Sequence, residues 1–248
     1  MERADRAPVS TFHAAGAWGP VVELGEGAAH HASVKRLSVG DPVRLTSGDG
    51  RRIRATISEL ARRRLVVSTT GEALEEVPPL PPVELWAPVG DRERMLWLAE
   101  KATELGVSAW RPVIYRRSRS VSPRGEGDAF REKVRARMIA ALEQSGGAWL
   151  PAIMPEVTLD AALANAPAAN AVLLDAAGEP LHQALSRVTS HASRSTLQLA
   201  LGPEGGLDPD ERESFLAAGW RLVSLGANVL RFETAGIAAL AIIRSFHW

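Results

Sequence analysis

Two stretches in the last fifth of the chain hold residue types that can do chemistry. Residues 199–211 read LALGPEGGLDPDE and residues 225–236 read LGANVLRFETAG. In the first, the apolar run Leu199-Ala200-Leu201 stops at Gly202-Pro203-Glu204-Gly205-Gly206. A strand that passes through a glycine-rich loop into a helix can bring bare backbone close to a ligand. This loop lacks the lysine and hydroxyl of a GxxxxGK[ST] phosphate loop and is not a GxGxxG dinucleotide fingerprint. Glu204 would also repel a phosphate. Asp208 and Glu211 are spaced as a capping box with Pro209 at the first helical position, so a plain strand-to-helix turn is the structural alternative. In the second stretch, Arg231 and Glu233 stand just ahead of an apolar helix for which Thr234 is the natural N-cap. Charges entering a core are costly unless paired or used. A buried Arg231–Glu233 or Arg231–Glu204 pair is the structural alternative there.

The elements around these stretches predict two regions. Up to about residue 76 the pattern is of short strands. Pro42-Val43-Arg44-Leu45 alternates, Ser47-Gly48-Asp49-Gly50 is a hairpin turn, and Arg52 to Ile57 alternates again. Leu65-Val66-Val67-Ser68 adds a further strand. This predicts a small β-barrel over 1–76, with Arg52 and Arg54 on one face and Ile53 and Ile57 on the other. Glu72 to Pro88, with four prolines at 78, 79, 81 and 82, reads as a stiff linker. From 77 to 248 the pattern is α/β. Strands are expected at 83–87, 110–115, 171–175 (ending Leu174-Asp175), 197–201 and 221–225. Helices are expected at 92–105, 132–145, 208–217 and 234–246. Alternation of this kind predicts a parallel sheet whose strand ends carry the ligand site. Asp175, Gly202 and Gly226 all fall at strand ends, so three loops are expected to meet at one pocket.

Composition narrows the classes. The chain has 248 residues, 46% hydrophobic and 23% charged, as in ordinary globular proteins. There is no cysteine, which excludes disulfides, thiolate metal sites and cysteine nucleophiles. His30-His31 has no partner at metal-ligand spacing, so no metal is expected and the pair is read as an RNA contact or a structural feature. No signal-peptide pattern opens the chain, and Ala235–Ile243 is far too short to span a bilayer, so a cytoplasmic protein with no membrane partner is expected. Lys and Arg number 29, as do Asp and Glu. Yet nine basic residues face three acids between His30 and Thr70, and the same counts recur between Arg111 and Arg137. Two basic zones on a neutral chain suit a polyanion held on one face, or simply arginine-rich surface coding.

GPEGG at 202–206 together with LGANVLRFETA at 225–235 resembles the C-terminal signature of the RsmE family of 16S ribosomal RNA uridine-N3 methyltransferases. HHASVKRLSVGDPVRLTSGDGRRIR at 30–54, EKATELGVSAWRPVIYRRS at 100–118 and ALEQSGGAWLP at 141–151 resemble further family segments, so the likeness spans nearly the whole chain. It departs from the family's usual pattern at Ala32–Leu37, at Gly147 and at Ala227-Asn228. The resemblance implies a PUA-like RNA-binding barrel followed by a SPOUT-class α/β domain with a trefoil knot, forming a homodimer through that domain. It implies S-adenosylmethionine as donor, held by Leu174, Leu201, Gly202, Glu204, Gly205, Gly206, Leu225, Gly226, Val229, Leu230 and Thr234. It implies 16S rRNA of the small ribosomal subunit as partner, touched by His31, Lys35, Arg36, Arg52, Arg54, Arg116 and Arg117. Arg231 is then expected to position phosphate or stabilise charge on the uracil carbonyls, with Glu204 or Glu233 taking the N3 proton. A non-catalytic RNA-binding and dimerisation module, or a SPOUT methyltransferase with another RNA target, are the alternatives.

Overall fold

The computed structural model describes residues 9–118, 127–165, 170–187 and 195–246. The chain forms two compact units, one of Met1–Pro78 with Ile139–Leu150 and one of Pro79–Met138 with Pro151–Trp248.

The first unit contains β1 (Ser10–His13), β2 (Val21–Leu24), α1 (Glu26–Val34), β3 (Pro42–Thr46), β4 (Arg51–Ala61) and β5 (Arg64–Glu75). The strands form one sheet in the order β1-β3-β4-β5-β2, antiparallel except for the parallel β1–β3 pair. Period-two alternation works as expected. Ile53, Ala55 and Ile57 turn into a core with Phe12, Leu45, Leu65 and Val67, while Arg52 and Arg54 take the other face. The strand pattern contains no sign of α1. Its segment, EGAAHHASV, buries only Ala29 and Ala32, too little apolar surface to mark a helical period. The expected linker is shorter than the sequence suggests. Residues 72–75 still belong to β5, where Glu75 stands opposite Arg51, so opposite charges extend the hairpin.

The second unit continues with β6 (Val83–Pro88), α2 (Arg92–Glu104), β7 (Ala109–Ile114), α3 (Gly127–Ser145, whose last turns belong to the first unit), β8 (Ala152–Ile153), β9 (Val157–Thr158), α4 (Leu159–Ala164), β10 (Ala171–Pro180), α5 (Leu181–Ser186), β11 (Leu197–Ala200), α6 (Pro209–Ala217), β12 (Arg221–Ser224) and α7 (Phe232–Ser245). The sheet order is β12-β10-β11-β6-β7-β8, with β9 also on β7, and every pairing is parallel. The short elements α4, α5, β8 and β9 have too few residues for a period to be read. Beneath α6, Phe215 packs 4.9 Å from Trp220 and 6.4 Å from Trp86, centroid to centroid. Strand β10 runs past Asp175, so this residue is not at a strand end. It opens an irregularity in which the register against β12 shifts between Leu174 and Glu179. Gly178 is required there, because a Cβ would lie 2.4 Å from the backbone of Leu222.

Candidate functional site

Beside the middle of β10, beyond the carboxyl end of β11 and ahead of α7, three stretches surround a cleft of about 860 Å³. That volume suits a nucleoside-sized ligand. Its walls include Leu174 and Asp175 from β10, Leu201 to Leu207 from the GPEGG loop, and Val229 to Phe232 from the loop before α7. A smaller space of about 140 Å³ adjoins it, lined by Leu174, Leu225, Gly226 and Val229 among others. Two of the three loops expected from the sequence therefore meet here within the second unit; the third contribution comes from inside β10 at Leu174–Ala176, because that strand continues past Asp175.

The GPEGG loop has local reasons for its shape. Gly206 donates its N–H to the Pro203 carbonyl at 2.8 Å and sits at φ +74°, a left-handed conformation that glycine adopts without strain. Gly205 lies against Arg117, whose Cβ would be 3.2 Å from an added methyl, and the Arg117 guanidinium donates to the Gly205 carbonyl at 3.3 Å. The capping box forms as the spacing predicts. Asp208 caps α6, and Glu211 returns a carboxylate oxygen to the Asp208 N–H at 3.0 Å. The other Glu211 oxygen accepts the Arg116 N–H at 2.7 Å. The segment after β7 thus braces the loop.

The charged residues do not pair as the sequence suggests. Neither Glu204 nor Glu233 is joined to Arg231. Both carboxylates meet Arg94, from the first turn of α2. Arg94 hydrogen-bonds and ion-pairs with Glu204, and its Nε lies 3.8 Å from Glu233 Oε1. Arg231, the N-cap residue of α7, is exposed; its carbonyl accepts the Ala235 N–H at 2.8 Å, and its side chain makes no hydrogen bond or ion pair among the described residues. Glu233 is 5% exposed, and its Oε2 has no hydrogen-bond partner among them. Across the cleft, Asp175 accepts from Arg212 Nε at 2.8 Å. Burial would raise the Asp175 carboxyl, but the Arg212 hydrogen bond and the Ala177 N–H outweigh it and hold the group below its ordinary range.

Most donor-site expectations fall on this cleft. Leu174, Leu201, Gly202, Glu204, Gly205, Gly206, Val229 and Leu230 line it, and Leu225 and Gly226 line the adjoining space. Thr234 lines neither. Helix α7 begins two residues earlier than expected, at Phe232, so Arg231 is the N-cap and Thr234 lies exposed within the first turn. Arg94 is the residue that sequence reasoning missed. One signal was available: a first helical turn favours acids, and Arg94 stands there against the helix dipole.

The residues expected to touch RNA separate. Lys35 and Arg36 are exposed at the end of α1, Arg36 at φ +57°. His31 is instead tied inside the first unit: its Nδ1 lies 3.1 Å from Glu143 Oε2, and the other Glu143 oxygen accepts the His13 N–H at 2.8 Å. Arg52 is also engaged, with Glu76 and with the Gly146 carbonyl at 2.6 Å. Arg54 is exposed on the outer face of β4. Arg116 and Arg117 belong to the second unit and pair with Asp208 at 3.2 and 3.6 Å, beside the GPEGG loop. Residues 119–126, part of the second basic zone, lie outside the described residues. No cluster of metal-ligating side chains occurs among the described residues, and no helix there is long and apolar enough to cross a membrane.

Comparison with known proteins agrees with this geometry. Residues 78–244 match a model described as an RNA methyltransferase domain, and residues 24–69 match an RNA methyltransferase PUA domain. A ribosomal RNA small subunit methyltransferase E from Mycobacterium bovis is 31% identical over 229 residues, covering 90% of this chain and 85% of that protein. One from Rickettsia conorii is 29% identical, covering 87% and 86%. The chain belongs to the RsmE family. Among solved structures, an RsmE from Neisseria gonorrhoeae bound to S-adenosylmethionine superposes with a TM-score of 0.81 at 26% identity, covering 96% of this chain and 97% of that one. A Legionella pneumophila protein with the same bound cofactor gives 0.84 at 25% identity, covering 96% and 98%. The α/β fold with an N-terminal PUA-like unit is therefore that of the RsmE family.

Proposed function

We propose that this protein transfers a methyl group from S-adenosylmethionine to N3 of a uridine in 16S rRNA of the small ribosomal subunit. The carrying observation is the cleft of about 860 Å³, whose apolar walls and glycine backbone come from the two signature loops. Leu174, Leu201, Val229 and Leu230 offer apolar walls to a nucleoside. Glycines 202, 205 and 206 expose backbone in place of a phosphate cradle, and a carboxylate, Glu204, stands at the rim where a sulfonium cation tolerates it. The residues present fit this donor. When bound, it supplies an electrophilic methyl group.

The remaining chemistry falls to the chain. Uridine N3 is a weak acid, so its proton must leave as the methyl arrives, and negative charge spreads onto the uracil carbonyls. The two carboxylates expected to take the proton are both engaged by Arg94. Arg231 has no such partner among the described residues, and a guanidinium in that state at the cleft's edge can stabilise charge that develops during reaction. The base has to be turned out of its stack to reach the cleft. Val229 is 91% exposed and Leu230 39% exposed beside the same cleft. Exposed apolar residues at a site's rim support a homodimer through this domain, with a second copy covering them.

The test is transfer of labelled methyl to small subunits that lack the modification, followed by mapping of the base. Label at N3 of one 16S uridine is expected, and Arg231→Ala is expected to lower the rate on the order of a hundredfold with the fold kept. An unchanged rate in that variant removes Arg231 from the role. Absence of both transfer and donor binding in the wild type would leave a non-catalytic RNA-binding module as the better reading.

A further inference from the structure

Among the described residues, Arg94 is the one cation that joins the glycine loop to the start of α7. Its side chain is 33% exposed and lines the cleft. The α2 N-cap fixes its backbone, since Asp91 accepts the Arg94 N–H at 3.0 Å. From there the guanidinium reaches Glu204 on the loop, its side chain 26% exposed, and the buried Glu233 on α7.

The two carboxylates differ in what they need. Glu204 can be hydrated if its partner is lost. Glu233 cannot: it is buried, one of its oxygens has no hydrogen-bond partner among the described residues, and Arg94 is the only cation within ion-pairing distance among them. A buried carboxylate without a counter-charge is far more costly than a surface one. Removing Arg94 would leave Glu233 with two outcomes, to take up a proton or to move toward water. Movement would draw the first turn of α7, and with it Arg231, away from the cleft.

We propose that Arg94 is a positioning residue for methyl transfer: it neutralises Glu233 and clamps Glu204, so that the GPEGG loop and the N-terminus of α7 are held in the arrangement that binds the donor. The carboxylates act as anchors for this clamp and not as the proton acceptor. This rests on the cleft being the donor site, and it adds a residue from α2, outside both signature loops.

The experiment uses the full chain and four proteins: wild type, Arg94→Met, Arg94→Lys, and the double variant Arg94→Met/Glu233→Gln. Calorimetry with S-adenosylmethionine gives donor affinity, and thermal unfolding without ligand gives Tm. Arg94→Met is expected to weaken donor binding about tenfold or more and to lower Tm, as loss of one partner of a buried ion pair does. Arg94→Lys keeps the charge and is expected to recover much of both. The double variant removes the buried charge along with its partner, so it too is expected to recover relative to Arg94→Met. A purely space-filling role for Arg94 would give no such recovery. Wild-type affinity and Tm in Arg94→Met would overturn the proposal, as would a double variant as impaired as the single one. If the wild type binds no donor, the donor-site reading falls, while the order of Tm values still decides whether Arg94 serves Glu233.

Discussion

Gly236 lies in the second turn of α7, where a methyl group added at Cβ would fall 2.8 Å from Leu98 Cδ1 and 2.9 Å from Leu201 Cδ1. Two effects of Gly236→Ala oppose each other. Glycine in a helix interior is about 1 kcal/mol worse than alanine, so propensity favours the variant. Overpacking a filled core costs about 1–3 kcal/mol. The balance depends on which neighbour yields. Leu98 and Leu201 are both buried, but Leu201 lines the cleft and can swing into it. The strain is then relieved at the expense of ligand space. The expected result is a folding free energy within about 1 kcal/mol of wild type by urea denaturation, because the two terms nearly offset. Calorimetry should show S-adenosylmethionine bound several-fold more weakly. Stabilisation by the full propensity term with unchanged donor affinity would refute the reasoning, since it would mean that no crowding reaches Leu201. A loss above 2 kcal/mol with unchanged affinity would place the strain on Leu98 instead.

Two further outcomes test the supports of the cleft. Asp208→Ala removes the N-cap of α6 and the partner of Arg116 and Arg117; it should lower stability by about 1 kcal/mol in denaturant titration, and donor affinity with it. Against the opposing effect of burial, the Arg212 hydrogen bond holds Asp175 below the ordinary carboxylate range, so this residue contributes stability that is present at neutral pH and is lost as the pH falls through its folded pKa. The gap in Tm between wild type and Asp175→Asn should therefore be constant near neutrality and close below about pH 4, and a gap unchanged at pH 3 would show that the Arg212 pair adds nothing.

What the sequence made legible follows from what is local. Alternation in β4 sorted Ile53 and Ile57 from Arg52 and Arg54, because a strand's period is set by its own backbone. The Asp208–Glu211 capping box was readable because all its partners lie within four residues. Charge partners were not readable. Arg94 and Glu204 are separated by 110 positions, and His31 and Glu143 by 112. Proximity along the chain suggested Arg231 for Glu204 and Glu233, whereas the fold brings in Arg94. Helix α1 and the continuation of β10 past Asp175 were missed for another reason. Both are imposed by neighbours, α1 by two small alanines and β10 by its pairing with β12, and neither leaves a period of its own.

The pairing pattern bears on how such a cleft chooses its ligand. Five charged side chains line it: Arg94, Arg212 and Arg231 against Asp175 and Glu204. Arg94 is paired to Glu204 and Arg212 to Asp175, so four of the five charges are settled before a ligand arrives. An interior neutralised in this way presents apolar walls and backbone groups, and it does not attract a polyphosphate as a cluster of free cations would. The remaining charge, Arg231, lies at the α7 end of the cleft, next to the exposed Val229 and Leu230. A cation placed there acts on whatever approaches from outside, which under the proposed reaction is the RNA and its target base. Under the proposed reaction the two arginines differ in function: Arg94 is occupied within the protein, and Arg231 is left for the substrate.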